Sequence, residues 1–129
     1  MNQALCIVVF NISNLLEAQL KLWQSFVGGE IKVIDNSSNM AIARENRAIC
    51  KEWGIEWIKS GFYDQDFSKS HGWACNVAYN LFKDEYEVVG LIDHDIFPFT
   101  PVNLDFMQEY DLCGIPQQRE EFIYLRPGS

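Results

Sequence analysis

The chain is short of positive charge. Ten Lys and Arg stand against eighteen Asp and Glu, a formal net charge of −8. That balance argues against nucleic acid or an anionic membrane as a main partner. It also disfavours a bare phosphate site, because an acidic protein needs a bound cation to attract a nucleotide diphosphate. Cys-x-x-Cys pairs are absent: Cys6, Cys50, Cys75 and Cys113 each sit singly inside an apolar pattern. They read as small buried hydrophobes in a reducing cytoplasm rather than as a zinc site or a disulfide framework. No apolar run exceeds strand length, so no transmembrane segment is expected. No basic stretch precedes the first apolar run, so no signal peptide is expected either, and a cytoplasmic location follows. Internal repeats, low-complexity segments and linkers are also missing.

What is present is core material. Hydrophobic residues make up 48% of 129 and aromatics 14%, enough for one folded domain over 1–129 with a real interior. Leu5 to Phe10 is a continuous apolar run and reads as a first buried strand. Asn14 with Glu17 has the form of a capping box. Leu16, Leu20, Trp23 and Val27 then recur at helical spacing, and Gly28-Gly29 stops that helix. Ile31 to Ile34 reads as a second strand ending in Asp35-Asn36-Ser37-Ser38, which completes a βαβ unit. Asp35 is a candidate to accept hydrogen bonds from a base or ribose; its other reading is a turn-capping Asp. Asn39 caps a second helix with Ile42, Ile49, Cys50 and Trp53 inward and Gly54 as its stop.

Ile55 to Ile58 is a short third strand, and 61–69 a polar loop whose Asp64 and Asp66 are ordinary loop residues. A third helix opens at Ser70 with small residues, Gly72, Ala74, Cys75 and Ala78, that allow close approach to a sheet or a ligand. His71 there is also compatible with a surface cap, and Asn76 with satisfying a neighbouring backbone group. A short helix is expected within 100–110, and two further strands over 111–115 and 121–125, for which a hairpin is one arrangement.

The stretch Val88-Val89-Gly90-Leu91-Ile92-Asp93-His94-Asp95 carries the clearest chemistry. The apolar run predicts a strand buried on both faces, and Pro98 forbids further central pairing. Side chains at i and i+2 of an extended chain point the same way, so Asp93 and Asp95 can face one point. They lie just past the carboxyl end of the strand, where open α/β sheets bind ligands. Two oxygen donors there suit Mg²⁺ or Mn²⁺, which would in turn hold phosphate oxygens. The alternative is a solvated turn after a strand. The His94 side chain should point away from the two acids, which fits a ribose contact better than metal ligation.

Taken together, Ile7-Val8-Val9-Phe10-Asn11, Val33-Ile34-Asp35-Asn36-Ser37, Ser70-His71-Gly72-Trp73-Ala74-Cys75-Asn76 and Leu91-Ile92-Asp93-His94-Asp95 give an order that resembles the nucleotide-binding half of a family 2-like GT-A glycosyltransferase. The resemblance covers nearly the whole chain. It implies a three-layer α/β/α, Rossmann-like fold with a mainly parallel central sheet. It implies a base contact at Asp35 and a nucleotide neighbour at Asn11. Gly72 and Asn76, with His71, would flank the donor, and Asp93 and Asp95 would hold the metal and the ribose. The implied donor is a nucleotide-diphosphate sugar, commonly a UDP-sugar; the acceptor, a glycan, lipid or protein, is not specified.

The chain departs from that family after the Asp-x-Asp motif, where only residues 96–129 follow. Asp111, Glu120 and Glu121 are the remaining acids available as a catalytic base, and none has distinctive surroundings. The expectation is a fragment or minimal form of such an enzyme, or a non-catalytic sugar-nucleotide-binding domain. A nucleotidyltransferase is disfavoured, since Asn11-Ile12-Ser13-Asn14 is neither glycine-rich nor basic. An unfinished sheet would expose apolar surface, so self-association is expected.

Overall fold

The computed structural model describes residues 2–61, 66–105, 109–114 and 123–125. Four strands form one parallel sheet in the order β3-β2-β1-β4: β1 Gln3–Val9, β2 Glu30–Asp35, β3 Glu56–Lys59 and β4 Val88–Asp93. They are linked through α1 Leu16–Phe26, α2 Met40–Trp53 and α3 Phe67–Phe82. Two short strands, β5 Leu112–Gly114 and β6 Ile123–Leu125, pair antiparallel as a hairpin. The chain is thus an α/β protein with an all-parallel four-stranded sheet, compatible with a Rossmann-like arrangement.

β1 is the buried centre. All seven of its residues are enclosed, and alternation sends them into two separate cores. Leu5, Ile7 and Val9 join Leu16 and Leu20 of α1, Cys50 of α2, and Ile31, Val33 and Ile92. Ala4, Cys6 and Val8 face the other way, onto Ile34 and onto Ala74, Ala78 and Phe82 of α3. Two helices on one face and one on the other make three layers. The small residues of α3 serve this packing: Ala74 and Ala78 are fully buried against the sheet. Each enclosed aliphatic side chain contributes roughly 1.5–3 kcal/mol of transfer free energy.

Three sequence expectations are corrected. β4 is not buried on both faces. Among the described residues it is an edge strand paired only with β1, and Leu91 is 48% exposed. Asn14 does not cap α1. The cap position is Leu15, with no side-chain bond, and Glu17 instead accepts from Trp53 Nε1 at 3.3 Å. α3 begins at Phe67, inside the segment expected to be loop. The cap of α2 is as expected: Asn39 accepts from the backbone N–H of Ala41 and Ile42, and Gly54 closes the helix at φ 68°, where a side chain would be strained. Of the residues that mark the helix expected within 100–110, Phe106 and Met107 lie outside the described residues, as do Asp64, Glu120 and Glu121.

Candidate functional site

All four strands run the same way, so Asp35 and Asp93 end on one edge of the sheet. From β1 the chain crosses to β2 on one side, and from β3 it returns to β4 on the other. The β1/β4 boundary is therefore the topological switch point, where diverging connections leave a crevice. A cavity of about 220 Å³ lies there, lined by Val8, Phe10, Asn36, Ser70, His71, Asp93, His94 and Asp95. Its size falls below the roughly 300–1,000 Å³ of sites that enclose a whole small molecule.

Four of the sequence candidates meet in this cavity: His71, Asp93, His94 and Asp95. Asp93 leaves the end of β4 exposed to solvent, and its Oδ1 stands 3.2 Å from His71 Nε2. His71 Nδ1 lies 3.7 Å from Cys75 Sγ, one helical turn further along α3. Burial, then the charge of Asp93, pushes the Cys75 thiol up from its ordinary value. Among the described residues, no Lys or Arg lines the cavity.

The other candidates are placed elsewhere. Asp35 is completely buried and does not line the cavity. Its Oδ1 accepts from the Ser37 N–H at 2.9 Å, and its Oδ2 accepts from Asn46 Nδ2 at 3.2 Å and Trp57 Nε1 at 3.0 Å. The carboxylate is spent on the fold, and the neighbouring Asn36 reaches the cavity instead, anchored through Oδ1 by the Ser60 hydroxyl at 2.8 Å. Asn11 is likewise internal in its bonding. It takes a positive φ of 48°, which Asn tolerates. Its Oδ1 accepts from the N–H groups of Ser38 and Asn39, and its Nδ2 donates to Ser38 Oγ. It staples the loop after β1 to the loop after β2. Gly72 is exposed in open space. Asn76 lies in a separate groove on the outer side of α3 with Trp73, Val77, Asn80 and Leu81. Asp111 is exposed and does not line the cavity.

Residues missed from sequence hold the Asp-x-Asp turn in place. Gln19 of α1 is fully buried and donates through Nε2 to the carbonyls of Asp93, at 2.9 Å, and Ile96, at 3.1 Å. Trp23 Nε1 donates to the same Ile96 carbonyl at 3.0 Å. The signal for Gln19 was a polar amide inside the apolar stripe of Leu16, Leu20 and Trp23. Asn46 interrupts the inward face of α2 in the same way.

The donor set sets limits on a metal. Among the described residues, no three His, Cys, Asp or Glu side chains converge as a closed cage. An open site fits: Mg²⁺-type ions are commonly held by one or two protein carboxylates, with water and substrate phosphates completing the shell. Asp93 and Asp95 are the two carboxylates that line the cavity among the described residues. Within the described residues, no helix is long and apolar enough to cross a membrane. No family model, curated protein or solved structure matches the chain.

Proposed function

We propose that this chain binds a nucleotide-diphosphate sugar, a UDP-sugar first among them, through Mn²⁺ or Mg²⁺ held by Asp93 and Asp95. We propose further that it acts as a glycosyltransferase of the GT-A type toward a glycan, lipid or protein acceptor. One observation carries the reading. The two acids stand at and just past the end of a parallel strand at the topological switch point, in a cavity that no Lys or Arg lines among the described residues. Acidic residues alone repel a diphosphate, so the arrangement makes sense for an anionic ligand only with a divalent ion between them. When bound, that ion neutralises charge developing on the leaving diphosphate. The chain's own part is to fix the carboxylates. Gln19 and Trp23 hold the backbone of the turn, while Asn36, anchored by Ser60, lines the same cavity.

The test is calorimetric titration of UDP and GDP, with and without Mn²⁺, into the wild type, Asp93→Ala and Asp95→Ala. Metal-dependent binding that both variants lose supports the reading. No binding by folded wild-type protein refutes it.

A second reading, a sugar-nucleotide-binding domain without transfer activity, is favoured by one observation. Apart from Asp93 and Asp95, no carboxylate lines the cavity among the described residues, so none there is placed as a general base. Transfer or hydrolysis of a labelled donor separates the two. The exposed apolar side chains Leu91, Ile96, Phe99 and Val102 support self-association; a concentration-independent monomer in sedimentation would refute that part.

A further inference from the structure

Asn36 follows β2 at the carboxyl edge, is only 2% exposed, and lines the cavity. Its backbone N–H donates to the Val9 carbonyl at 2.8 Å, and its Oδ1 accepts the Ser60 hydroxyl at 2.8 Å. That leaves Nδ2, which donates to no described residue. Nor is Nδ2 sealed off. Among the described residues, the enclosed side-chain atoms without a partner are Gln3 Oε1, Gln19 Oε1 and Asn46 Oδ1. Nδ2 therefore keeps access to water, and the cavity is the space that this residue borders. A buried amide whose oxygen is already bonded offers its other side as a donor only. A ligand group that meets it must be an acceptor, because a second donor would leave both groups unsatisfied.

Position says which part of a nucleotide this donor meets. β1 separates β2 from β4, so Asn36 stands about 10 Å across the sheet from Asp93. Asp93 is level with Val8 and Ile34, two residues short of Asn36. A nucleoside diphosphate whose phosphates lie at Asp93 and Asp95 reaches Asn36 with its far end, the base. We propose that Asn36, through Nδ2, donates to the exocyclic oxygen of that base and so selects keto bases over amino bases. Uracil O4 and guanine O6 accept a hydrogen bond there, whereas the amino groups of cytosine and adenine donate. Ser60 is the positioning residue: by holding Oδ1 it leaves Nδ2 to the ligand. The inference rests on the metal-nucleotide reading above and deepens it by naming the base. Asp35, the base contact expected from sequence, has both oxygens bonded within the protein. The next residue takes that place with the opposite polarity, as a donor.

The experiment measures the affinities of UDP and CDP, each with Mn²⁺, for the wild type, Ser60→Ala and Asn36→Asp, with folding checked by circular dichroism. The two ligands share size and phosphates and differ only along the base edge, so their affinity ratio cancels any general loss of binding. The expected wild type binds UDP at least about tenfold more tightly than CDP. Ser60→Ala frees the amide to rotate and brings the ratio near one. Asn36→Asp, whose outer oxygen only accepts, reverses the preference toward CDP. Ser60→Ala leaves the cavity lining unchanged, so it reports even where Asn36→Asp does not fold. Equal binding of UDP and CDP by the wild type, or a preference unchanged in either folded variant, overturns the assignment and leaves the metal-nucleotide reading standing. Absence of Mn²⁺-dependent binding of either nucleotide by folded wild type overturns both.

Discussion

Asp35→Asn changes one carboxylate oxygen into an amide nitrogen while leaving the side chain's shape nearly intact. At this position all three partners are donors: the Ser37 N–H on Oδ1, and Asn46 Nδ2 and Trp57 Nε1 on Oδ2. An amide brings one acceptor oxygen and one donor group. With the oxygen on the Oδ2 side, the new N–H₂ faces the Ser37 N–H. With the oxygen on the other side, it faces Trp57, whose indole can only donate. Asn46 can relieve its own share by rotating, because its buried Oδ1 has no partner, but neither arrangement frees both of the other donors. One buried unsatisfied donor costs about 1–3 kcal/mol, and the surviving bonds lose the extra strength of an ionised acceptor. The expected destabilisation is about 3 kcal/mol, a large share of a typical total of roughly 5–15 kcal/mol. In equilibrium urea unfolding with a slope near 2 kcal/mol/M, the midpoint drops by about 1.5 M. Asp35→Ala, which strands all three donors, drops it further. A midpoint within about 0.3 M of wild type would refute the reasoning. If UDP binding were lost at the same time, Asp35 would return to the ligand-contact role its sequence position suggests.

Gln19→Leu removes the donor to the carbonyls of Asp93 and Ile96 but also a buried oxygen with no partner. Trp23 still serves Ile96, so the stability loss is only about 1–2 kcal/mol. Hydrogen exchange of the Ile96 N–H, which donates to the Asp93 carbonyl at 3.3 Å, speeds up more than that of the sheet core; uniform change across both would refute a role specific to the turn. Burial pushes the Cys6 and Cys50 thiols up to about 12, so almost no thiolate exists at pH 8. Iodoacetamide followed by mass spectrometry should leave both unmodified until urea is added, and rapid labelling of either in native buffer would refute their burial. Lys32 is raised despite its desolvation, because Glu56 and Glu30 outweigh it. Its contribution is present below its unfolded value near 10.4 and disappears only as pH rises through the higher folded value. Glu30 is lowered, chiefly by Tyr86 and then Lys32, so its contribution holds above about pH 4.3 and fades as pH falls below. Lys32→Met should therefore flatten the acid limb of a stability-pH curve without altering its shape between about pH 5 and 9; an unchanged acid limb would refute the pairing.

The strands and helices were legible because each carries its own period: the continuous run of β1, the apolar stripe of α1, the cap and stop of α2. Position in the sheet was not. Val88 to Ile92 and Leu5 to Val9 are equally apolar, yet one strand is the centre and the other an edge among the described residues. Local composition does not record how many neighbours a strand has. Strand direction put Asp93 at the end of β4, but His94 and Asp95 form a turn, so the alternation expected to align the two acids stops at Asp93. Asp35 was harder. In sequence, an acid after a strand looks the same whether it faces a ligand or the protein. Here Trp57 and Asn46 approach from other elements and close over it, and nothing within a few residues of Asp35 announces them.

The long-range polar contacts have a common logic at the carboxyl edge of the sheet. Asn11 ties the loop after β1 to the loop after β2, Asp35 ties β2 to α2 and β3, and Gln19 ties α1 to the turn after β4. Each uses a side chain where the backbone has run out of strand partners. Buried polar groups of this kind are costly unless fully paired, so a set of them concentrated at one edge fixes geometry rather than adding stability. The opposite edge carries a different, more exposed set: Lys32 pairs with Glu30 and Glu56, the Tyr86 hydroxyl donates to Glu30, and Gln3 reaches the Gly28 carbonyl at 3.2 Å while keeping a buried oxygen without a partner. If the edge that holds Asp93 and Asp95 were only a solvated turn, loosening it would cost little beyond stability. On the reading advanced for the site, Gln19→Leu weakens Mn²⁺-dependent UDP binding by more than its stability loss explains, and equal binding by this folded variant would remove the link between α1 and the carboxylates.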